Sequence, residues 1–296
     1  MKKFNIYIGF ALLLLSSCIK EIEFTSDEVT PRIVLNALLR PDSVISVNVS
    51  HSLNVLDQAD IQALTTASVK LYDGNGNYIE DLVHQGDGDY RSPSLLIPSA
   101  GNSYQIEVSH ADYASVDAST SVPAAIAPQI IDTATTLIAQ ENVFRVRLRY
   151  QDPAGVKNHY CVRFYQHYME YLYDNFGNIV DSIDHFDPIW SSTNSIYFDD
   201  AGDIFDTKNQ LYSRDLVYDG QTVDVDFYIP LWIGNVPEIY IAFSNSSEEY
   251  FYFSKSYDLY QSTNGDPFAQ PVQIYSNVNG GIGIFAGYFP SVLRVK

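Results

Sequence analysis

Four carboxylates crowd into eight residues at Asp199, Asp200, Asp203 and Asp206, in the stretch FDDAGDIFD. Clustered carboxylates have two common chemistries. With backbone oxygens they hold a hard cation such as calcium, and as a spaced pair they supply the acid and base of glycoside hydrolysis. The plain alternative is a solvated acidic loop, and nothing beside the cluster displaces it as the default. A second acidic stretch, DGNGNY from Asp73, begins like a calcium loop. It has Tyr78 where the sixth-position glycine belongs and His84 where the twelfth-position glutamate belongs, so it reads as a hairpin turn.

The six histidines offer no complete metal set. His159 and His167 share one strand face but lie roughly 26 Å apart at about 3.3 Å per residue. His159 and Cys161 are two apart, half a site at most, and a buried free thiol beside a hydrogen-bonded histidine is the simpler reading. NGGIGIFAGY places Gly281, Gly283 and Gly287 in a GxGxxxG spacing with nine residues after it, too few for a dinucleotide-binding unit. Those glycines are expected to allow close packing in a last strand. No nucleophile elbow, Walker loop or HExxH is present. The chain is therefore expected to be no enzyme and to need no cofactor, with calcium at Asp199 to Asp206 as its one metal expectation.

Cys18 carries a different chemistry. Lys2 and Lys3 precede a ten-residue apolar run, Ile6 to Leu15. That run is half the ~20 residues of a membrane-spanning helix but fits a secretory leader. Leu15-Ser16-Ser17-Cys18 reads as a lipobox, which makes residues 1–17 a signal peptide and Cys18 the acylated first residue of the mature chain. Each buried CH₂ contributes about 0.8 kcal/mol, so several acyl chains hold the protein to membrane lipid with no spanning helix. Residues 18–30 then serve as a tether. Without the leader, 15 basic residues face 36 acidic ones, a net charge of −21. Such a surface repels nucleic acid. Lipidation of Cys18 also leaves Cys161 without a partner for a disulfide.

The elements that must position these residues are strands. From Arg32 to Val122 seven short alternating segments are separated by turn residues, the pattern of an immunoglobulin-like sandwich. In SVISVNVS, Ile45, Val47 and Val49 face one way and Val44, Ser46, Asn48 and Ser50 the other. The prolines of VPAAIAPQI mark a boundary and a stiff linker. Beyond it come an alternating strand with Val143, Arg145, Arg147 and Arg149 on one side, a long hairpin around DNFGN, and strands TVDVDFYIP and EIYIAFS. Ser246 and Glu249 form a capping box for a helix whose Tyr250, Phe253, Tyr257 and Tyr260 keep helical spacing. That stripe is expected to pack into a core. The fold class is all-β: an immunoglobulin-like β-sandwich over 31–123, then a second β-rich sandwich or barrel over 129–296 with one helix near 247–262.

Three stretches carry a family resemblance: the lipobox with PRIVLNALLRPDSVISVNVSHSLNVLD, then DDAGDIFDTKNQ, then YDLYQSTNGDPFAQPVQIYSNVNGGIGIFAGY. Together they resemble a family of Bacteroidota outer-membrane lipoproteins known as domain of unknown function 4249. The resemblance spans essentially the whole mature chain and implies an accessory of a TonB-dependent β-barrel transporter, with the cell surface favoured over the periplasmic face. It supplies no catalytic residues. A freestanding adhesin or glycan-binding lipoprotein is the alternative. Of the 23 tyrosines 17 lie beyond Pro128, with both tryptophans. Tyrosine and tryptophan bury large area at low entropy cost, so Trp190, Trp232, Tyr257 and Tyr260 are the candidates for a ligand or partner surface. The other reading of the tyrosines is one face of a half-exposed sheet.

Overall fold

Alternating sequence becomes sandwich walls wherever the apolar side of each strand finds a facing sheet. A computed structural model describes residues 30–53, 61–199, 201–230, 238–266 and 268–296 of the protein. Cys18 with its leader, Asp200 and Trp232 lie outside them. Pro31–Ser52 and Asp60–Lys296 form one body. Among the described residues no helix is long and apolar enough to cross a membrane.

The seven early segments are seven strands: β1 (Ile33–Leu39), β2 (Ser46–His51), β3 (Ser68–Asp73), β4 (Tyr78–Gly86), β5 (Asp89–Arg91), β6 (Ser103–His110) and β7 (Tyr113–Ser121). Ile45, Val47 and Val49 are buried, as the alternation requires. β4 pairs with β3 as far as Leu82 and with β5 from Val83, so one strand serves both the β1–β2–β5 and the β3–β6–β7 groups. Their inward side chains meet in a single core that includes Leu35, Val47, Leu71 and Val108. The turns Asp73–Asn77 and Asp174–Asn178 share the pattern D-x-x-G-N, and each aspartate binds backbone N–H groups and the closing asparagine. The Asp73 carboxylate thus holds a turn, and hydrogen bonds from Asn77 keep its pKa below the usual range.

A second sandwich follows. β8 (Gln129–Ile138), β9 (Glu141–Gln151), β14 (Thr222–Pro230) and the short β12 (Ser192–Thr193) make a four-stranded sheet. It faces β10 (His159–Tyr173), β15 (Glu238–Ser246) and the end of β16 (Ile282–Arg294), which belong to a twelve-stranded sheet with β11 (Ile179–Ile189) at its edge and β13 (Leu211–Arg214) paired to β10. Val146, Leu148, Val162, Phe164, Phe227 and Phe243 fill the space between the sheets. Among the described residues neither sheet closes into a barrel. On the outer face of β9 the arginines are matched across strands: Arg147 grips Asp226 at 2.6 and 2.7 Å and Arg149 grips Asp224 at 2.6 Å. Val143, at the start of the same row, is buried.

β16 joins the two sandwiches. Its first half runs parallel to β1, Val34 opposite Ile282 through Leu39 opposite Gly287. Its second half runs antiparallel to β15, from Tyr288 to Arg294. Phe285 is buried in the first core, while Leu293 packs against the second. The connection 122–128 is pinned at both ends, Val122 in the first core and Ile126 in the second.

Helix α1 (Glu248–Thr263) covers the other face of β10. Its cap is Ser247, whose hydroxyl accepts the Tyr250 N–H at 3.2 Å, and not Ser246, which donates to the carbonyl of His159 at 3.0 Å. Glu249 consequently makes no capping box. It accepts from Thr120 at 3.0 Å. The shift by one residue also changes which side chains pack. Phe251 is buried against Cys161 and Tyr212, whereas the expected core stripe stays half-buried at Tyr250 and Phe253 and exposed at Tyr257 and Tyr260.

Candidate functional site

Asp199 is committed to two cations, Arg214 at 3.2 Å and Lys255 of α1 at 2.8 Å. Asp206 pairs with Lys208 at 2.7 Å and Asp203 accepts the backbone N–H of Phe205 at 3.0 Å. These carboxylates serve a clamp and a turn, and the structure does not gather them around one point. Cys161 is buried at 3% exposure, and that burial pushes its thiol up to about 12, so it is no nucleophile at neutral pH. His159 beside it packs at a tilt against Phe251, ring centroids 5.1 Å apart, with Nε2 unpartnered, in place of the hydrogen-bonded histidine expected there. Burial holds its pKa below the ordinary value. The Gly281 to Gly287 stretch lies against β1 and β7 as a packed strand.

A different carboxylate group forms where the β9–β10 and β13–β14 connections meet. Asp152, Asp215 and Asp219 each bring an oxygen within 4.8 Å of the others. Asp152 is 1% and Asp215 4% exposed. Asp152 Oδ1 accepts the Tyr160 hydroxyl and Oδ2 accepts the Gly220 N–H at 2.8 Å. Asp215 Oδ2 accepts the N–H of Asn158, and Asp219 Oδ1 that of Gly155, both at 2.7 Å. Burial, reinforced by the charges of Asp215 and Asp219, raises the pKa of Asp152 despite the hydrogen bonds it accepts. The two segments, YQDPAG and RDLVYDG, each read as an ordinary turn in sequence. The pairing of Gln151 with Thr222 on β9 and β14 and that of His159 with Arg214 on β10 and β13 bring them together.

The second feature is an arm. β15 accompanies β10 as far as His167, opposite Glu238; beyond it, among the described residues, β10 pairs with β11 up to the turn at Asp174. The arm bears exposed Tyr171, Tyr173, Ile179 and Val180, and Phe176 at its tip is 90% exposed. Between Tyr168 and Asp187 it holds five carboxylates and no lysine or arginine. A two-stranded ribbon is marginal in water by itself, so its root must be braced. On one face His167 stacks on Phe186 at 4.5 Å and sits between Glu238 at 2.7 Å and Asp184 at 2.5 Å. On the other, Tyr168 stacks on His185 at 4.8 Å, and His185 reaches Glu170 at 2.7 Å. Trp190 is 56% exposed just past the end of β11.

This brace titrates. Hydrogen bonds to Glu238 and then Asp184 raise the His167 pKa, and the bond from His167 is the first cause of the lowered pKa of Glu238. The histidine's contribution is full below its ordinary pKa of about 6.5 and is lost as pH rises through the raised value. The glutamate's is lost as pH falls through its depressed value. The root is therefore tightest in the mildly acidic window between them. An NMR titration of the His167 ring is expected to give a midpoint above the ordinary value, and a midpoint at or below it contradicts the bracing.

A family model described as a domain of unknown function, DUF4249, matches residues 19–292. No curated protein matches. Among solved structures, an alpha-2-macroglobulin from Salmonella is similar over 78% of this chain and 14% of that chain, at 14% identity and a TM-score of 0.24. The chain thus corresponds to a small part of that protein's length.

Proposed function

The chain belongs to the DUF4249 family, and from that premise we propose that it binds rather than catalyses, as a lipid-anchored outer-membrane accessory that docks on a TonB-dependent β-barrel transporter and assists ligand capture or uptake. The observation that carries this reading is the β10–β11 arm, which exposes apolar side chains around Phe176 on a ribbon ringed by carboxylates. Interfaces place aromatic anchors in the centre of a charged rim, so the complementary surface is an apolar pocket edged by lysine and arginine. Anchoring by acylated Cys18 and a Bacteroidota origin belong to the same proposal and rest on the lipobox and the family resemblance.

Phe176→Ser with Val180→Ser removes the apolar tip while touching no core. The double variant is expected to keep the wild-type melting temperature and to lose co-purification of a barrel transporter from gently solubilised outer membrane by about tenfold or more. Undiminished recovery of the barrel sinks the arm as the docking element. Exposed Trp190 favours one other reading, a freestanding adhesin or glycan-binding protein with that ring as a stacking platform. Trp190→Ala is expected to abolish glycan binding in that case and to leave transporter recovery unchanged in ours.

A further inference from the structure

We propose that the outer face of the first sandwich carries a saccharide-binding groove over β6 and β7, bordered by Tyr72. Ile106, Val108, Val116 and Ala118 point into the first core, so strand alternation turns the residues between them outward. The register sets these in two rows across the face: Tyr72, Gln105 and Ser119 in one, Lys70, Glu107 and Asp117 in the other. On β7 the outward residues are the small Ser115, Asp117 and Ser119, whereas β3 contributes the tall Tyr72. That step in height leaves an open groove of about 590 Å³, lined by Tyr72, by Gly76 of the β3–β4 turn and by the outward residues of β6 and β7. Small-molecule sites span about 300–1,000 Å³, and the groove falls within that range.

Both carboxylates in the groove are held by one oxygen and open at the other. Tyr72 donates its hydroxyl to Glu107 Oε2 at 3.1 Å, and Asn279 donates from Nδ2 to Asp117 Oδ2 at 2.8 Å. Asn279 is itself fixed by backbone hydrogen bonds exchanged with Asp117, at 2.8 and 3.4 Å. The Gln105 amide reaches only the carbonyl of Gly74, at 3.5 Å, and Ser115 and Ser119 are exposed. The groove thus sets two oriented acceptors beside groups that both donate and accept. This mixture selects the occupant. Two carboxylates turn away an anion, and a polar lining offers little to an apolar ligand. A cation would engage the carboxylates and leave the amide and the hydroxyls unused. The hydroxyls of a neutral saccharide donate to Glu107 and Asp117 and accept from Gln105 and the serines, so every group in the groove finds a partner. Tyr72, packed edge-on with Tyr78 at 6.0 Å, adds apolar ring surface for the C–H face of a sugar. Strand faces serve oligosaccharides in this way in OB-folds. The groove belongs to the first sandwich and the arm to the second, so saccharide binding and docking stand or fall separately.

The test applies the full chain to an array of neutral, aminated and acidic oligosaccharides, and each retained oligosaccharide is then titrated by calorimetry. Retention of neutral oligosaccharides and rejection of acidic ones is expected. Glu107→Gln with Asp117→Asn is expected to weaken binding at least about tenfold, since both oriented acceptors lose their charge. Ser119→Tyr, which fills the groove from an exposed strand position, is expected to abolish it. These variants touch no core and are expected to keep the wild-type melting temperature. Trp190→Ala, and Phe176→Ser with Val180→Ser on the arm, are expected to leave saccharide binding unchanged. The proposal is overturned if no neutral oligosaccharide is retained, if binding persists in Ser119→Tyr, or if aminated oligosaccharides alone are retained, which would make the groove a plain acidic patch.

Discussion

Gly283→Ala is expected to cost at least about 4 kcal/mol and to lower the melting temperature by about 10 °C or more, or to leave the chain insoluble. Gly283 has φ +117°, and a Cβ there would stand 2.0 Å from the carbonyl oxygen of Leu35 and 2.9 Å from its carbon. Two penalties add: the backbone conformation, about 1–3 kcal/mol for a residue with a side chain, and a clash with main chain that cannot swing away. β1 has no room to retreat because β2 is hydrogen-bonded along its other edge. Gly76→Ala is the control. It too has a positive φ, +81°, but nothing stands within 4 Å of its Cβ, so only the conformational penalty applies. A Gly283→Ala protein that melts within a degree or two of the Gly76→Ala protein would show that β16 does not run against β1.

Phe227→Ala is expected to cost about 3–5 kcal/mol, the usual range for emptying an aromatic site in a core. Phe227 is fully buried, with ring centroids 5.6 Å from Phe164 and 5.4 Å from Phe198, at the centre of the second sandwich. The consequence reaches further than that core. Because β16 is shared between β1 and β15, loss of the second sandwich strips one strand from the first. A single cooperative transition is expected, with faster hydrogen exchange at buried amides of β1 and β2 as well as of β9 and β14. Wild-type protection in β1 and β2 of the variant would mean that the two sandwiches unfold independently.

Both effects turn on relations between distant segments, and that separates what was legible in the sequence from what was not. The seven strands before Val122 were plain, since one buried face imposes period two and turn residues mark each end. The glycines of the last strand were correctly read as permitting close approach, but the neighbour was hidden: a parallel partner some 250 residues upstream leaves no local trace. The arm's strands were legible and their exposure was not. Tyrosines alternate in the same way on a buried sheet and on a projecting ribbon, and the structure sends Tyr150, Tyr160 and Tyr218 into a core while Tyr171 and Tyr173 stay outside. The acidic stretch at Asp199 drew attention because its members adjoin in sequence. Asp152 and Asp215 did not, being brought together by the long-range β9–β14 and β10–β13 pairings. The cap moved from Ser246 to Ser247 because two adjacent serines offer the same chemistry, and only the β15 register, with His159 opposite Ser246, decides between them.

On the reading proposed above, the arm docks on an outer-membrane barrel. A photo-crosslinking residue in place of Phe176, in the acylated chain within intact outer membranes, tests it most directly. The expected result is one dominant adduct whose added mass and peptides are those of a TonB-dependent transporter, absent when the crosslinker sits at Asn75 in the equivalent turn of the first sandwich. An adduct to lipid, to a second copy of the chain, or equal labelling from both turns would contradict it.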